Sequence, residues 1–181
     1  IFINKRLYAA DFQSLNDPME GRFIYSKGML DRNGLQQIRG EKAQYKILSL
    51  SETFNNMLMW SYYSEGHSGF VVGVSVIDSD IEIEPVEYVE ELKLDKSHTN
   101  LAKSILTKKL KLWSHEKEYR VLKQNDPFVK IKVEKIIFGI YAAPHKRELL
   151  TIIAKKFCPG ISVKQLSRDD LETGEADAYE I

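Results

Sequence analysis

The segment Trp113-Ser-His-Glu-Lys-Glu-Tyr-Arg120 sets two carboxylates and a guanidinium at alternate positions: Glu116, Glu118 and Arg120. In an extended backbone alternate side chains share a face, so these three project together while His115, Lys117 and Tyr119 take the other side. Such a grouping is costly unless the charges bind one another or a ligand. In a helix the same residues reduce to a Glu116–Arg120 pair one turn apart. The structural reading is an ion pair that fixes the entry to a strand. The chemical reading is a carboxylate held where positive charge develops, with Arg120 aligning it or meeting an anion.

Two further stretches carry side chains suited to recognition. Met59-Trp-Ser-Tyr-Tyr-Ser-Glu-Gly-His-Ser-Gly69 places Trp60, Tyr62 and Tyr63 just ahead of a turn that contains His67. Aromatics at helical spacing are ordinarily core, but rings beside a tight turn also make a stacking wall for a base or another ring. Asn16-Asp-Pro-Met-Glu20 is turn chemistry, with Asn16 or Asp17 tying down its own loop. Phosphate-loop, dinucleotide-fingerprint, HExxH and GxSxG patterns are all missing. The four histidines, His67, His98, His115 and His145, lie 17 to 31 residues apart, so no metal is expected. Cys158, the single cysteine, reads as a buried, inert thiol at a helix end.

The 181 residues are 43% hydrophobic and 29% charged, an ordinary composition for a globular protein. No apolar run approaches the length of a membrane span, so a cytoplasmic protein without membrane contact is expected. The 26 cations and 26 carboxylates cancel, which argues against a general nucleic-acid coat. The charges are nevertheless segregated. Eight carboxylates lie between Asp78 and Asp95 against Lys93 alone, and six cations lie between Leu101 and Arg120 against Glu116 and Glu118. These runs read either as solvated faces or as a basic helix that meets phosphates.

The elements that must position these residues follow from periodicity. Lys46–Ser51 alternates like a strand, and Phe70–Ile77 reads as a strong, central one. Ile81–Val89 reads as a strand broken by Pro85 and so near an edge. Asn55–Ser64 suggests a short buried helix begun by an Asn cap, and residues 26–44 an irregular surface or weak helix. Ala102, Leu106, Leu110 and Trp113 share one stripe, which predicts a helix over Thr99–Trp113. Tyr119–Leu122, Phe128–Val133 and Lys135–Ile140 read as strands. Pro144 opens a helix with Leu149, Leu150, Ile153 and Phe157 as its apolar set. Ile161–Leu166 is a further strand and Ala178–Ile181 a last one. Strands and helices mixed without a βαβ rhythm predict an α+β fold, with a mixed, largely antiparallel sheet and three or four helices in a single domain over 1–181.

Several blocks resemble a bacterial family catalogued as domain-of-unknown-function family 2971. Phe12-Gln-Ser-Leu-Asn-Asp-Pro-Met-Glu20 is similar to its "FNDPFE" signature. Ile47-Leu-Ser-Leu-Ser-Glu52 with Asn56-Met-Leu-Met-Trp-Ser-Tyr-Tyr63 resembles its "FSe…lMWsHY" block. His67-Ser-Gly-Phe-Val-Val-Gly73, Leu106–Arg120 and Ile136-Ile-Phe-Gly139 resemble the blocks that follow in the same order. Leu15 and Met19 replace the family's Phe, and Tyr62 stands where it often has His, so a His general base is not implied there. The family has an upstream segment similar to "lYKYrs", and the chain starts at Ile1, so a short N-terminal segment is expected to be missing.

The resemblance assigns no function, and a limited fold-level analogy supplies one. An enzyme similar to ADP-ribosyltransferases would use NAD as substrate and need no metal. Glu118 would be the catalytic carboxylate, bonding the nicotinamide-ribose hydroxyl. Glu116 would orient a protein or nucleic-acid acceptor, and Arg120 would hold Glu118 or the diphosphate. Trp60 and Tyr63 would wall the nicotinamide, with Asn16, Asp17 and His67 completing the substrate-binding set. One alternative is a non-enzymatic interaction or sensor domain in bacterial defence or stress response, with a structural Glu–Arg cluster. Another is a nucleic-acid enzyme, using Asp17, Glu116 and Glu118 for a divalent metal and the lysine-rich helix for phosphates.

Overall fold

The strict alternation of Phe128-Val-Lys-Ile-Lys-Val-Glu, continued by Lys-Ile-Ile-Phe138, makes one long strand with Val129, Ile131 and Val133 buried between exposed charged residues. The sequence suggested two strands here, and the structure has one. The structure is a computed structural model and describes residues 1–79, 81–95, 97–172, 179 and 180. In chain order the elements are β1 (Arg6–Tyr8), β2 (Ala10–Asp11), a 3-10 turn, α1 (Arg32–Ala43), β3 (Tyr45–Ser51), α2 (Met57–Tyr63), β4 (Phe70–Val76), β5 (Glu82–Pro85) and β6 (Glu87–Val89). They continue with α3 (Leu101–Leu106), β7 (Lys108–Leu110), a 3-10 helix at Lys111–Glu116, β8 (Glu118–Gln124), β9 (Phe128–Phe138), α4 (Pro144–Phe157), β10 (Ser162–Gln165), α5 (Arg168–Glu172) and β11 (Tyr179–Glu180). The fold is α+β with largely antiparallel pairing. Among the described residues no helix is long and apolar enough to cross a membrane.

The chain divides into two compact units, each assembled from separated segments. The first comprises Ile1–Leu7, Thr53–Asp78 and Lys130–Ile181, and the second Tyr8–Glu52 and Ser79–Val129.

In the first unit β9 is the central strand. It pairs antiparallel with β4 and parallel with β10, and β10 pairs antiparallel with β11. Among the described residues β4 has β9 as its one strand partner, so it lies at an edge and not at the centre. Its apolar run misled because Val71–Val76 is half-buried throughout, without the alternation of a one-faced strand. Trp60, Ile137 and Leu166 form the buried centre of this unit, flanked by Phe54, Val71 and Ile140. The helix α4 starts on Pro144 as expected, but Ala154 is its buried residue and Leu149 is exposed. Residues 178 and 181 of the expected last strand lie outside the described residues.

In the second unit a four-stranded antiparallel sheet runs β2-β3-β8-β5, with β5 at the edge that Pro85 suggested. Two apolar clusters fill it. Ile38, Leu94 and Ile105 lie between α1 and α3, and Ile47, Leu106 and Leu122 lie against the sheet. Asp31 caps α1 by accepting from Gly34 N at 2.8 Å, so part of the stretch read as irregular or weakly helical is a regular helix. The expected long helix stops at Leu106 instead. Thr107 turns its hydroxyl back onto Lys103 O at 3.0 Å, and Lys108–Leu110 leaves the helix to pair in parallel with β6.

That pairing joins the two charge runs. Lys103 meets Glu82 and Glu84, Lys108 meets Glu87 at 3.5 Å, and Lys111 meets Glu90 at 2.7 Å. Attraction between the acidic and basic segments favours the sheet over continuation of an amphipathic helix whose cations would crowd one another.

Candidate functional site

Glu116, Glu118 and Arg120 do converge, by a route that simple alternation did not describe. Glu116 ends the 3-10 helix, Lys117 takes a left-handed conformation with φ 43°, and Glu118 begins β8. The left-handed residue lets the backbone turn while both carboxylates stay inside. Within β8, Glu118 and Arg120 are buried and share a face, and Tyr119 between them is half-buried.

Arg120 is 0% exposed, and each of its N–H directions has an acceptor. Nε donates to Glu118 Oε1 at 2.8 Å, and Nη1 donates to Glu20 Oε1 and Leu106 O, both at 2.6 Å. Nη2 donates to Glu20 Oε2 at 2.8 Å and Glu118 Oε2 at 3.1 Å. The guanidinium thus ties the 12–22 segment, the last carbonyl of α3 and β8 together. The planar fork suits two carboxylates and a helix C-terminus at once. Lys109, also buried, donates to Glu116 and, at 3.3 Å, to Glu118 Oε2, and its ammonium lies 4.8 Å from the centre of the Trp113 ring.

The electrostatics follow from this packing. Burial alone would raise the pKa of Glu118. The hydrogen bonds and charge of Arg120, then the charge of Lys109 and a bond from Ser49, outweigh it and hold the carboxyl below its usual value. Burial likewise works against a charged Lys109, but Glu118 and Glu116 carry its pKa above the ordinary lysine value. Arg120 is raised as well, its bonds to Glu20 and Glu118 overcoming desolvation. The phenol of Tyr88 accepts from Glu118 N at 2.8 Å and is pushed up chiefly by burial.

The Asn16–Glu20 turn is built as its residues suggest. Asp17 is buried and its Oδ1 accepts from Met19 N at 2.8 Å, while Asn16 is exposed. Its larger role is to deliver Glu20, which sequence reasoning left out of the candidate set. Lys109 was also missed. The available signal was the imbalance of Glu116 and Glu118 against one cation, which required further partners for a buried grouping.

Trp60, Tyr63 and His67 belong to the other unit. Asn56 caps α2 by accepting from Leu58 N and Met59 N, as the Asn cap suggested. Trp60 is the one residue of α2 that is buried, with Nε1 donating to Phe54 O at 2.6 Å. Met57, Leu58, Tyr62 and Tyr63 are exposed, so α2 is not the buried helix its apolar residues suggested: it buries the Trp60 face alone. Glu65, Gly66 and His67 all have positive φ, which folds His67 back over Trp60, the rings 6.4 Å apart and 14° from parallel. His67 Nε2 lies 3.1 Å from Ser61 Oγ, and its Nδ1 is buried with no hydrogen-bond partner among the described residues. Tyr63 instead lines a recess of about 230 Å³ with Ser64, Glu65, Phe70 and Lys146.

Among the described residues no group of three or more His, Cys, Asp and Glu side chains is arranged to hold a metal ion. Compared with protein-family models, curated proteins and solved structures, the chain matches none.

Proposed function

We propose that the chain is a ligand-binding domain of the interaction or sensor kind, in which the Glu20–Arg120–Glu118–Lys109–Glu116 cluster is a structural tie. One observation carries this reading: both oxygens of Glu118 already accept hydrogen bonds from buried cations. A transferase carboxylate must accept a ribose hydroxyl at the reacting centre, within hydrogen-bond reach. Freeing Glu118 for that role would leave Arg120 and Lys109 buried and under-neutralised, at a cost of about 3–5 kcal/mol. The cluster also pins the Asn16–Arg22 segment, a loop with Asp17, Glu20 and Gly21 buried and Asn16, Pro18, Met19 and Arg22 exposed, which this reading takes as the binding element. Loops held by a rigid scaffold are where recognition residues concentrate.

The NAD-transferase reading is the competing one, and nicotinamide release separates the two. The binding reading expects no release from NAD by either the wild-type chain or Glu118→Gln. Release by the wild-type chain that disappears in Glu118→Gln, with the fold intact, would overturn it. Lys103, Lys108, Lys109 and Lys111 each meet a carboxylate, so the basic segment offers little support to the nucleic-acid reading. We infer membership of domain-of-unknown-function family 2971 from the ordered blocks between Phe12 and Gly139, and that inference rests on those blocks alone.

A further inference from the structure

Lys42 is buried, with only 5% of its surface exposed, yet it forms no ion pair with a carboxylate among the described residues. Its ammonium donates to Gly21 O at 2.5 Å and lies 4.9 and 5.3 Å from the centres of the Phe12 and Phe23 rings. Lysine is almost never buried without an anionic partner, because one carbonyl and the faces of aromatic rings repay only part of its desolvation. Burial, then repulsion from Arg39 and Arg22, holds its pKa below the ordinary lysine value against a weaker pull from Glu20. The position near the C-terminus of α1 favours a cation, but that preference is worth less than the burial costs.

Lys42 lines a recess of about 540 Å³ bounded by the 12–22 segment and the end of α1. Arg22 and Arg39 line it too, both exposed, and neither guanidinium forms an ion pair with a carboxylate among the described residues. Arg39 and Lys42 are three residues apart on α1 and so share a face. The two acids on the recess are already engaged. Glu20 gives both oxygens to Arg120, and Asp17 Oδ1 accepts from Met19 N. Phe12, Leu15 and Pro18 supply an apolar side to the same space.

We propose that this recess binds an oxyanion of the phosphate class, carried on a small ligand whose apolar body rests against Phe12, Leu15 and Pro18. Two guanidinium forks and an ammonium match the several acceptor oxygens of a phosphate better than the two of a carboxylate. The ligand supplies the counter-charge that Lys42 lacks. This proposal rests on the ligand-binding reading above and names the ligand class for it.

The test is calorimetric titration of the whole chain at low ionic strength with inorganic phosphate and, separately, phenyl phosphate. Saturable binding is expected, tighter for phenyl phosphate, and weakened about tenfold or more in Arg22→Gln and in Arg39→Gln. Arg32→Gln, on α1 but not on the recess, is expected to bind like wild type. Lys42→Met keeps the aliphatic stem, so it should lose binding while its Tm stays equal or rises. No saturable binding, or undiminished binding in Arg39→Gln, would overturn the site. A lower Tm with unchanged binding in Lys42→Met would make that lysine purely structural and would also overturn it. Equal affinity for the two probes would contradict an apolar body resting on Phe12, Leu15 and Pro18 and would overturn the ligand class proposed. Glu118-dependent nicotinamide release is the separate result that would overturn the underlying reading, whatever phosphate does.

Discussion

Arg120 and Glu20, one hundred residues apart in the chain, meet through paired bonds of 2.6 and 2.8 Å in a fully buried setting. This contact makes a turn segment part of the core. The same guanidinium donates to a second carboxylate, that of Glu118, two residues before it on β8. Three carboxylates and two cations are thereby closed upon one another, and no single member is removed without stranding a partner.

Glu20→Ala is expected to destabilise the chain by about 3–5 kcal/mol, because Arg120 keeps its burial and loses a bidentate partner. Arg120→Lys should cost a similar amount, since an ammonium cannot reach five acceptors in a plane. Urea unfolding of both variants checks this, and the double variant Glu20→Ala/Arg120→Met should lose less than the sum of the single losses.

Stability should fall in acid and in strong base for identifiable reasons. Glu118 is depressed below its unfolded value, so its contribution is present above about pH 4.3 and is lost as the pH drops through its folded pKa. Lys109 is raised, so its contribution is complete below about pH 10.4 and is lost as the pH climbs through its folded pKa. Lys42 is lowered and works in the opposite sense, costing stability while charged and relieving that cost as the pH rises through its folded value. Urea midpoints across the pH range should show the acid loss reduced in Glu118→Gln and the Lys42 cost absent in Lys42→Met.

Gly21→Ala should disrupt the turn that carries Glu20. Gly21 has φ +66°, and an added Cβ would stand 2.6 Å from the Phe12 ring. Backbone strain and overpacking together should cost about 2–4 kcal/mol. Thermal melting reads the loss, and the intact chain at low temperature should bind phosphate more weakly because Gly21 O also positions Lys42.

Gly139→Ala should be more damaging, since the new Cβ would collide with His67 O, a backbone atom that cannot yield. Trp60 Cζ3 is 3.2 Å from the same point, so its fluorescence and near-ultraviolet dichroism should report the disturbance. Unchanged spectra and melting would contradict the close packing of the 67–69 turn on Gly139.

Particular residues explain how far the fold and the site were legible in the sequence. The two-residue period of Phe128–Val133 reflects a strand with one buried face, and Lys46–Ser51 was readable from its alternating residue types although Ile47 and Leu48, on opposite faces, are both buried. The Asn56 cap and Pro144 act locally, and they were readable too. The helix expected over Thr99–Trp113 is cut short because Lys108–Leu110, inside that span, pairs with Glu87–Val89 of the acidic run, a partner some twenty residues away that the stripe does not reveal. The face shared by Glu118 and Arg120 was legible from spacing. Glu20 and Lys109 were not, because a counter-charge brought in by the fold leaves no periodic trace. Lys42 was invisible for the same reason, as an isolated lysine on a helix reads as a solvated one until its burial is known.

The most direct test of the central claim is the unfolding free energy of Glu118→Gln against the wild-type chain at neutral pH. A structural tie predicts a loss of about 2–5 kcal/mol, as Arg120 and Lys109 would share one anion fewer in a buried setting. An unchanged unfolding free energy would mean that the buried cluster does not depend on the Glu118 charge, and the structural tie would be contradicted.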